Sequence, residues 1–337
     1  MLAITSANIC YRKPSKMPLT RMGQADAMHR ITETAGSMPK PHMKIDTHQH
    51  YWRYRPDDFP WITASMSTLR QDRRLRDSLP AMQACGVDAV VAVQARGVVQ
   101  ETEFLLTEAA SNPRIVGVVG WVDLMAPDLP AQLDAWANQP LLRGFRHILQ
   151  DEPDIAAMVD SSAFGRGVAL LQRQQFTYDV LVFENQLPLV LDFCSRHDAH
   201  WLVLDHVAKP ALRNGSQTVA AEGRWSSSLR ALAALPHVMC KLSGLVTETD
   251  WLHAAGIQAT DEPLIHACFD FALEVFGPQR LMFGSDWPVC ELAAPYQVVC
   301  QLAQSWCESR LSPAEQQLFW AGNALRCYGL PWPVGID

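Results

Sequence analysis

Short runs rich in β-branched and other apolar residues recur along the chain every few tens of residues. They are KIDTHQH (44–50), DAVVAVQA (88–95), IVGVVGWVDL (115–124), LRGFRHIL (142–149), TYDVLVF (177–183), WLVLDHV (201–207), VMCKLSGLV (238–246) and RLMFGSD (280–286). The central runs are continuously apolar rather than alternating, as parallel strands covered on both faces are. Between the runs, apolar positions fall at helical spacing. The stretch 101–111 carries Phe104, Leu105 and Ala109 on one face, and 185–197 carries Leu187, Val190, Leu191 and Cys194. The stretch 154–175 reads as a longer helix broken near Gly165. A helix over 263–276 carries Leu264, Ile265, Cys268, Phe269, Ala272 and Val275, and Gly277-Pro278 stops it. Two further helices are predicted over 295–306 and 313–327. No internal repeat is evident.

Eight strand–helix alternations predict an α/β fold with a parallel sheet. Eight such units within residues 44–330 suit a single-domain (β/α)8 TIM barrel. An open, doubly wound sheet would show a Gly-rich phosphate turn after an early strand. The first strand here ends in histidines instead.

Charge separates the start of the chain from the rest. The 337 residues have a net charge of −7, yet residues 1–43 hold six basic residues and two acidic ones. The remainder holds 22 basic against 33 acidic residues, a net charge of −11. Residues 1–43 show neither a strand pattern nor an apolar stripe and are interrupted by Pro14, Pro18 and Pro39. They are expected to be a disordered N-terminal extension to a fold that starts near Met43, although their basic, acid-poor character also suits a transit-like address. Residues 331–337 are expected to form a C-terminal tail. An acidic domain lacks the basic face that nucleic acid requires. No apolar run approaches the ~18–20 residues of a membrane span. The nine cysteines are scattered and form no CxxC pair. They read as reduced, mostly buried thiols in a cytoplasmic protein.

In a barrel, chemistry sits at the carboxyl ends of the strands. Three ends are unusually polar. His48 and His50 close the first strand and, two residues apart, face one side. His206 follows the run 201–204 through Asp205, and Asp286 follows the run 281–283 through Gly284-Ser285. Each has a bland alternative: a loop histidine pair, a satisfied structural histidine, a helix-capping aspartate. Together they form three imidazoles and a carboxylate at ends that a closed barrel brings together. Such a set can hold Zn²⁺ or act without a metal.

Here the chain resembles the amidohydrolase superfamily, and within it the sugar-lactone hydrolases. The resemblance covers about residues 44–330. It rests on IDTHQHYWRY (45–54), DFPWI (58–62), GVVGWVDL (117–124), FRHILQDEPD (145–154), LVLDHVAKP (202–210), KLSGLVTE (241–248) and LMFGSDWPVC (281–290). It implies a hydrolase that opens a sugar lactone of L-fucono- or L-rhamnono-lactone type. Metal-dependent superfamily members commonly add a Lys or His ligand on strand four or five. The fifth run has no His, and the fourth offers His147 but no Lys. The expectation is therefore a metal-independent enzyme, or one divalent ion held weakly by His48, His50, His206 and Asp286.

The implied reaction is attack of water on the lactone carbonyl. Asp286 is the candidate general base, and His48, His50 and His206 surround the developing oxyanion. Candidate substrate contacts are Trp52, Trp121 and Trp287 as stacking faces, with Gln94, Arg146, His147 and Ser243 as polar groups. Strand alternation keeps Arg146 and His147 from both pointing inward. Lys241 shares a face with Ser243. Arg70, Arg73, Arg74 and Arg76 read as a solvated helix face, and His197 and His200 as surface residues. The expected partner is a small sugar lactone, with room for a homo-oligomer. The competing activity is metal-dependent hydrolysis or decarboxylation of a carboxylated aromatic or muconic lactone, which would draw on Arg53, Arg55, Arg96 and Arg146.

Overall fold

The computed structural model describes residues 43–217 and 223–331. The extension assigned to 1–43 and the tail assigned to 331–337 thus lie outside the described residues, apart from Met43 and Pro331. The eight strands are β1 Ile45–Gln49, β2 Ala89–Val93, β3 Ile115–Gly120, β4 Leu142–His147, β5 Thr177–Val180, β6 Leu202–Leu204, β7 Val238–Leu242 and β8 Leu281–Phe283. They form one parallel sheet in chain order. The sheet closes on itself where Gln49 bridges Trp287 in parallel. His50 donates its backbone N–H to Trp287 O (2.7 Å), and Asp286 donates to His48 O (2.9 Å). The predicted (β/α)8 barrel is the observed fold.

The helices around the barrel are α1 Leu75–Ala84, α2 Val99–Ser111, α3 Leu129–Ala135, α4 Ile155–Asp160, α5 Ser162–Arg173, α6 Leu187–Arg196, α7 Arg224–Ala233, α8 Asp261–Phe276, α9 Tyr296–Arg310, α10 Pro313–Gln317 and α11 Asn323–Tyr328. Strand interiors pack against their apolar faces, with Val90, Val118, Phe145, Leu202 and Phe283 all buried. Among the described residues, no helix is long and apolar enough to cross a membrane.

The differences from the sequence pattern have local causes. The break in 154–175 falls at Ser161, which caps α5 through Phe164 N–H, and not at Gly165. Gly165 continues the helix, and its carbonyl lies 3.1 Å from His197 Nε2. The stretch 313–327 is interrupted by a π-helical turn at Leu318–Gly322. Helix α1 begins at Leu75, so of the arginines read as a solvated helix face only Arg76 lies on it. Arg73 is buried instead, 3.0 Å from Glu291 and over the Trp287 ring, and Arg74 is paired with Glu108. His197 is also buried, with Nδ1 bonded to Phe193 O. The eight described cysteines are free, and all except the half-buried Cys85 are buried.

Candidate active site

The strands end earlier than the apolar runs suggest, because polar residues leave the ladder there. β6 stops at Leu204, and His206, Val207, Ala208 and Lys209 then take left-handed backbone angles (φ 54°, 52°, 58° and 48°). Each such non-glycine residue costs roughly 1–2 kcal/mol. The turn is pinned by Trp225, whose Nε1 donates to Val207 O (2.8 Å). It places His206 at the barrel mouth. Asp286, three residues past β8, is also left-handed (φ 61°).

On β1, the register with β2 slips between Asp46 and Gln49. Buried Asp46 organises this stretch by accepting from His48 N–H (3.1 Å), Gln49 Nε2 (2.7 Å) and Ser285 N–H (2.8 Å). The last of these ties β1 to the segment carrying Asp286. His50 Nδ1 lies 2.8 Å from Val93 O. A carbonyl only accepts, so Nδ1 is the donor in this contact. His50 Nε2 lies 3.2 Å from His48 Nε2 and 3.2 Å from Asp286 Oδ1, and His48 Nε2 lies 3.8 Å from the same oxygen. The His206 and His48 rings are 4.5 Å apart, and His206 Nδ1 is hydrogen-bonded to Ser243 Oγ (2.8 Å). The four residues singled out from the sequence thus meet.

Burial holds the imidazole of His48 well below its ordinary pKa and that of His206 down to about 3. Both are neutral near pH 7. Burial by itself would raise the pKa of Asp286, but the facing imidazoles of His206, His50 and His48 outweigh it. The carboxyl is held well below its usual range and is ionised.

A second cluster lies behind the histidines. Arg146 on β4 donates from Nη1 to Asp205 Oδ2 (2.9 Å), and its Nη2 is bonded to Gln94 O. Lys241 on β7 donates from Nζ to Asp179 Oδ2 on β5 (2.6 Å) and lies 3.0 Å from Asp205 Oδ1. Tyr328 adds a hydroxyl donor to Asp179 (3.0 Å). All four charged groups are buried, two of each sign. Asp179 and Asp205 were not singled out from the sequence, and Lys241 had no partner there. The available signal was a charge inside an apolar strand, which must find an opposite charge.

The other candidates separate. Arg146 reaches the centre, with Nη1 3.2 Å from His48 Nε2. Gln94 is fully buried and holds Arg146, its Nε2 donating to Arg146 O (2.9 Å). Ser243 holds His206. Trp121 is half-buried at the end of β3, against Gly97. His147 points the other way, packing on Phe164 and bonded to Glu152 (2.6 Å). Trp52 and Trp287 are buried with no face open to a sugar. Trp52 lies against Phe59 and Trp61, with Nε1 donating to Gln71 O. Trp287 is covered by Arg73 and Tyr51, with Nε1 donating to Glu291. The long β1 loop folds back over both rings, which the sequence pattern did not reveal.

Two sets of donor atoms converge within 4.8 Å: His48, His50 and Asp286, and His48, Asp205 and His206. The first offers two imidazole nitrogens and a carboxylate oxygen, a donor set that suits a divalent metal such as zinc. His206 falls in the second set rather than beside Asp286 in the first.

The comparisons fit this geometry. The Amidohydrolase family model matches residues 45–330. The chain belongs to this family. It is 56% identical over 293 residues to the L-fucono-1,5-lactonase of Burkholderia multivorans, covering 87% of this chain and 98% of that protein. It is 32% identical to the L-fucono-1,5-lactonase of Burkholderia ambifaria, covering 87% and 97%. A crystal structure of a Burkholderia multivorans amidohydrolase with bound Zn superimposes with a TM-score of 0.82. The two share 56% identity, and the match covers 86% of this chain and all of that one.

Proposed function

We propose that the protein hydrolyses a sugar lactone of L-fucono-1,5-lactone type to the open sugar acid. The observation that carries this reading is the ionised Asp286 carboxylate facing three buried imidazoles at the carboxyl end of the barrel. The likeness to two L-fucono-1,5-lactonases, over nearly their whole lengths, supports the choice of substrate.

The residues divide the work as follows. Asp286 takes a proton from water as the oxygen attacks the lactone carbonyl. Imidazole N–H groups and the Arg146 guanidinium stabilise the charge that develops on the carbonyl oxygen in this buried setting. The ring C–O bond then breaks, and the leaving alkoxide takes back the proton held by Asp286. The sum is ester plus water giving a hydroxy acid. Ser243, Gln94 and Asp205 orient His206 and Arg146. Trp121 offers a half-exposed face beside the pocket. His48, His50 and Asp286 can hold a divalent ion, which when bound would polarise the carbonyl and acidify water.

The test is a pH-indicator assay on a panel of sugar lactones, with the protein before and after chelator treatment. Turnover of L-fucono-1,5-lactone well above the spontaneous rate is expected. Asp286→Asn should lower kcat by about 10²–10⁴-fold with an unchanged circular dichroism spectrum. Hydrolysis of no sugar lactone, or near-wild-type turnover by the variant, overturns the reading.

A further inference from the structure

One buried carboxylate at the barrel mouth has no part in the chemistry described above. Glu248 closes a turn that follows β7, and only 7% of it is exposed. The turn is held by its own polar groups. Glu248 N–H donates to Leu245 O (3.1 Å), Thr247 Oγ1 to Gly244 O (2.9 Å) and Thr249 Oγ1 to Val246 O (2.8 Å). The carboxylate takes no part in these bonds. Among the described residues no N–H or O–H donates to it, and its one ion-pair contact is loose, with Arg213 Nη1 3.7 Å from Oε2. A buried carboxylate ordinarily receives hydrogen bonds, because burial without them is costly.

The direction of this side chain follows from what acts on it. Lys209 after β6, Asp286 after β8 and Glu184 after β5 all lie close enough for their charges to be felt by the Glu248 carboxyl, as does Arg213. A buried side chain on the β7 turn that feels groups on the loops of β5, β6 and β8 points across the mouth, on the side of the carboxylate that the proposed reaction uses. Lys209, left-handed at φ 48°, lays its ammonium over the half-buried Phe183 ring, 5.3 Å from the ring centre, and its charge also reaches His206. Burial raises the pKa of Glu248, and the Lys209 and Arg213 cations work against that rise.

We propose that Glu248 is a specificity-determining residue that accepts hydrogen bonds from two neighbouring hydroxyls of the sugar ring. This inference rests on the lactonase reading and adds to it the part of the substrate that is recognised. An ionised carboxylate has only acceptors, so it selects a ligand that brings donors. The donors of a neutral sugar lactone are its hydroxyls, and an adjacent pair matches the two carboxylate oxygens. A substrate carboxylate placed there would instead meet Glu248, Glu184 and Asp286 together, which disfavours carboxylated aromatic and muconic lactones. In L-fucono-1,5-lactone the ring hydroxyls stand on C2, C3 and C4, so any neighbouring pair includes the one on C3.

The test compares kcat/KM for L-fucono-1,5-lactone and for its 3-deoxy analogue. The wild-type protein should prefer the parent by about 10–100-fold, the value of a hydrogen bond to a charged group. Glu248→Met keeps the length of the side chain and removes both acceptors. It should lower kcat/KM for the parent by a similar factor and bring the two substrates to within about threefold of each other, because the hydroxyl and the carboxylate act as one pair. A residue that only supported the turn would slow both substrates alike and leave the preference intact. Circular dichroism checks the fold. If Glu248→Met does not fold, Glu248→Gln keeps the shape, weakens the acceptor and should narrow the preference by about threefold or more. If neither variant folds, the wild-type ratio decides. Equal wild-type rates on the two lactones, or a preference that survives in a folded variant, overturns the proposal and leaves the lactonase reading standing. No turnover of any sugar lactone by the wild-type protein overturns both.

Discussion

At the scale of single residues, the proposed site is built from side chains that are buried and still polar. The three imidazoles were legible from the sequence because histidines end strands that are otherwise apolar. Their supports were less legible. Gly244 is one example. It adopts φ 64°, and an added Cβ would lie 2.6 Å from His206 Nδ1. Gly244→Ala should therefore push the His206 ring out of place as well as strain the backbone. A fall in kcat of about 10²-fold is expected for such a displacement, along with a lower melting temperature. Wild-type turnover would show that the present position of His206 is not the working one.

Burial also sets a pH dependence. Unfolded, His206 titrates near 6.5, whereas in the fold burial holds it down to about 3. Between those values the unfolded chain binds more protons, so stability falls as pH drops below about 6.5 and is level above it. The slope is about 1.4 kcal/mol per pH unit for this group. His200, held down to about 4 by burial, acts in the same direction. Urea midpoints should be constant from about pH 8 to 7 and then fall toward pH 5. A midpoint that does not move over that range would place these imidazoles in water.

At the scale of elements, hydrophobic periodicity located all eight strands but overextended most of them. The apolar runs continue into the turns because the turns are also buried, as Val207 and Ala208 are. Helix boundaries suffered the reverse problem. Within 154–175 the periodic face runs unbroken through α4 and α5, and glycine was the obvious place for a break. The chain breaks at Ser161, where a hydroxyl restarts the helix by accepting from Phe164 N–H (3.4 Å). Ser161→Ala should cost about 0.5–1 kcal/mol, the low end for a cap at this distance, and leave activity unchanged. Denaturant unfolding would measure it, and an unchanged midpoint would remove Ser161 from the capping role.

At the scale of the whole molecule, the order of strands explains why distant sequence positions form one site. Closure between β1 and β8 sets His50 against Asp286, and the β4–β7 arc brings Lys241 and Asp205 to His48 Nδ1 and Arg146 to its Nε2. The sequence by itself determined the parallel barrel and the four polar strand-end groups that meet at its mouth. Periodicity and apolar runs encode these locally, and His-x-His spacing on a strand fixes a shared face. The tertiary structure alone decided which tryptophans are covered, why His147 turns away, and which partners fix each imidazole. Those outcomes depend on the β1 loop folding over the barrel mouth and on charges from separate strands neutralising one another in a low-dielectric interior, where an unpaired charge is too costly to keep.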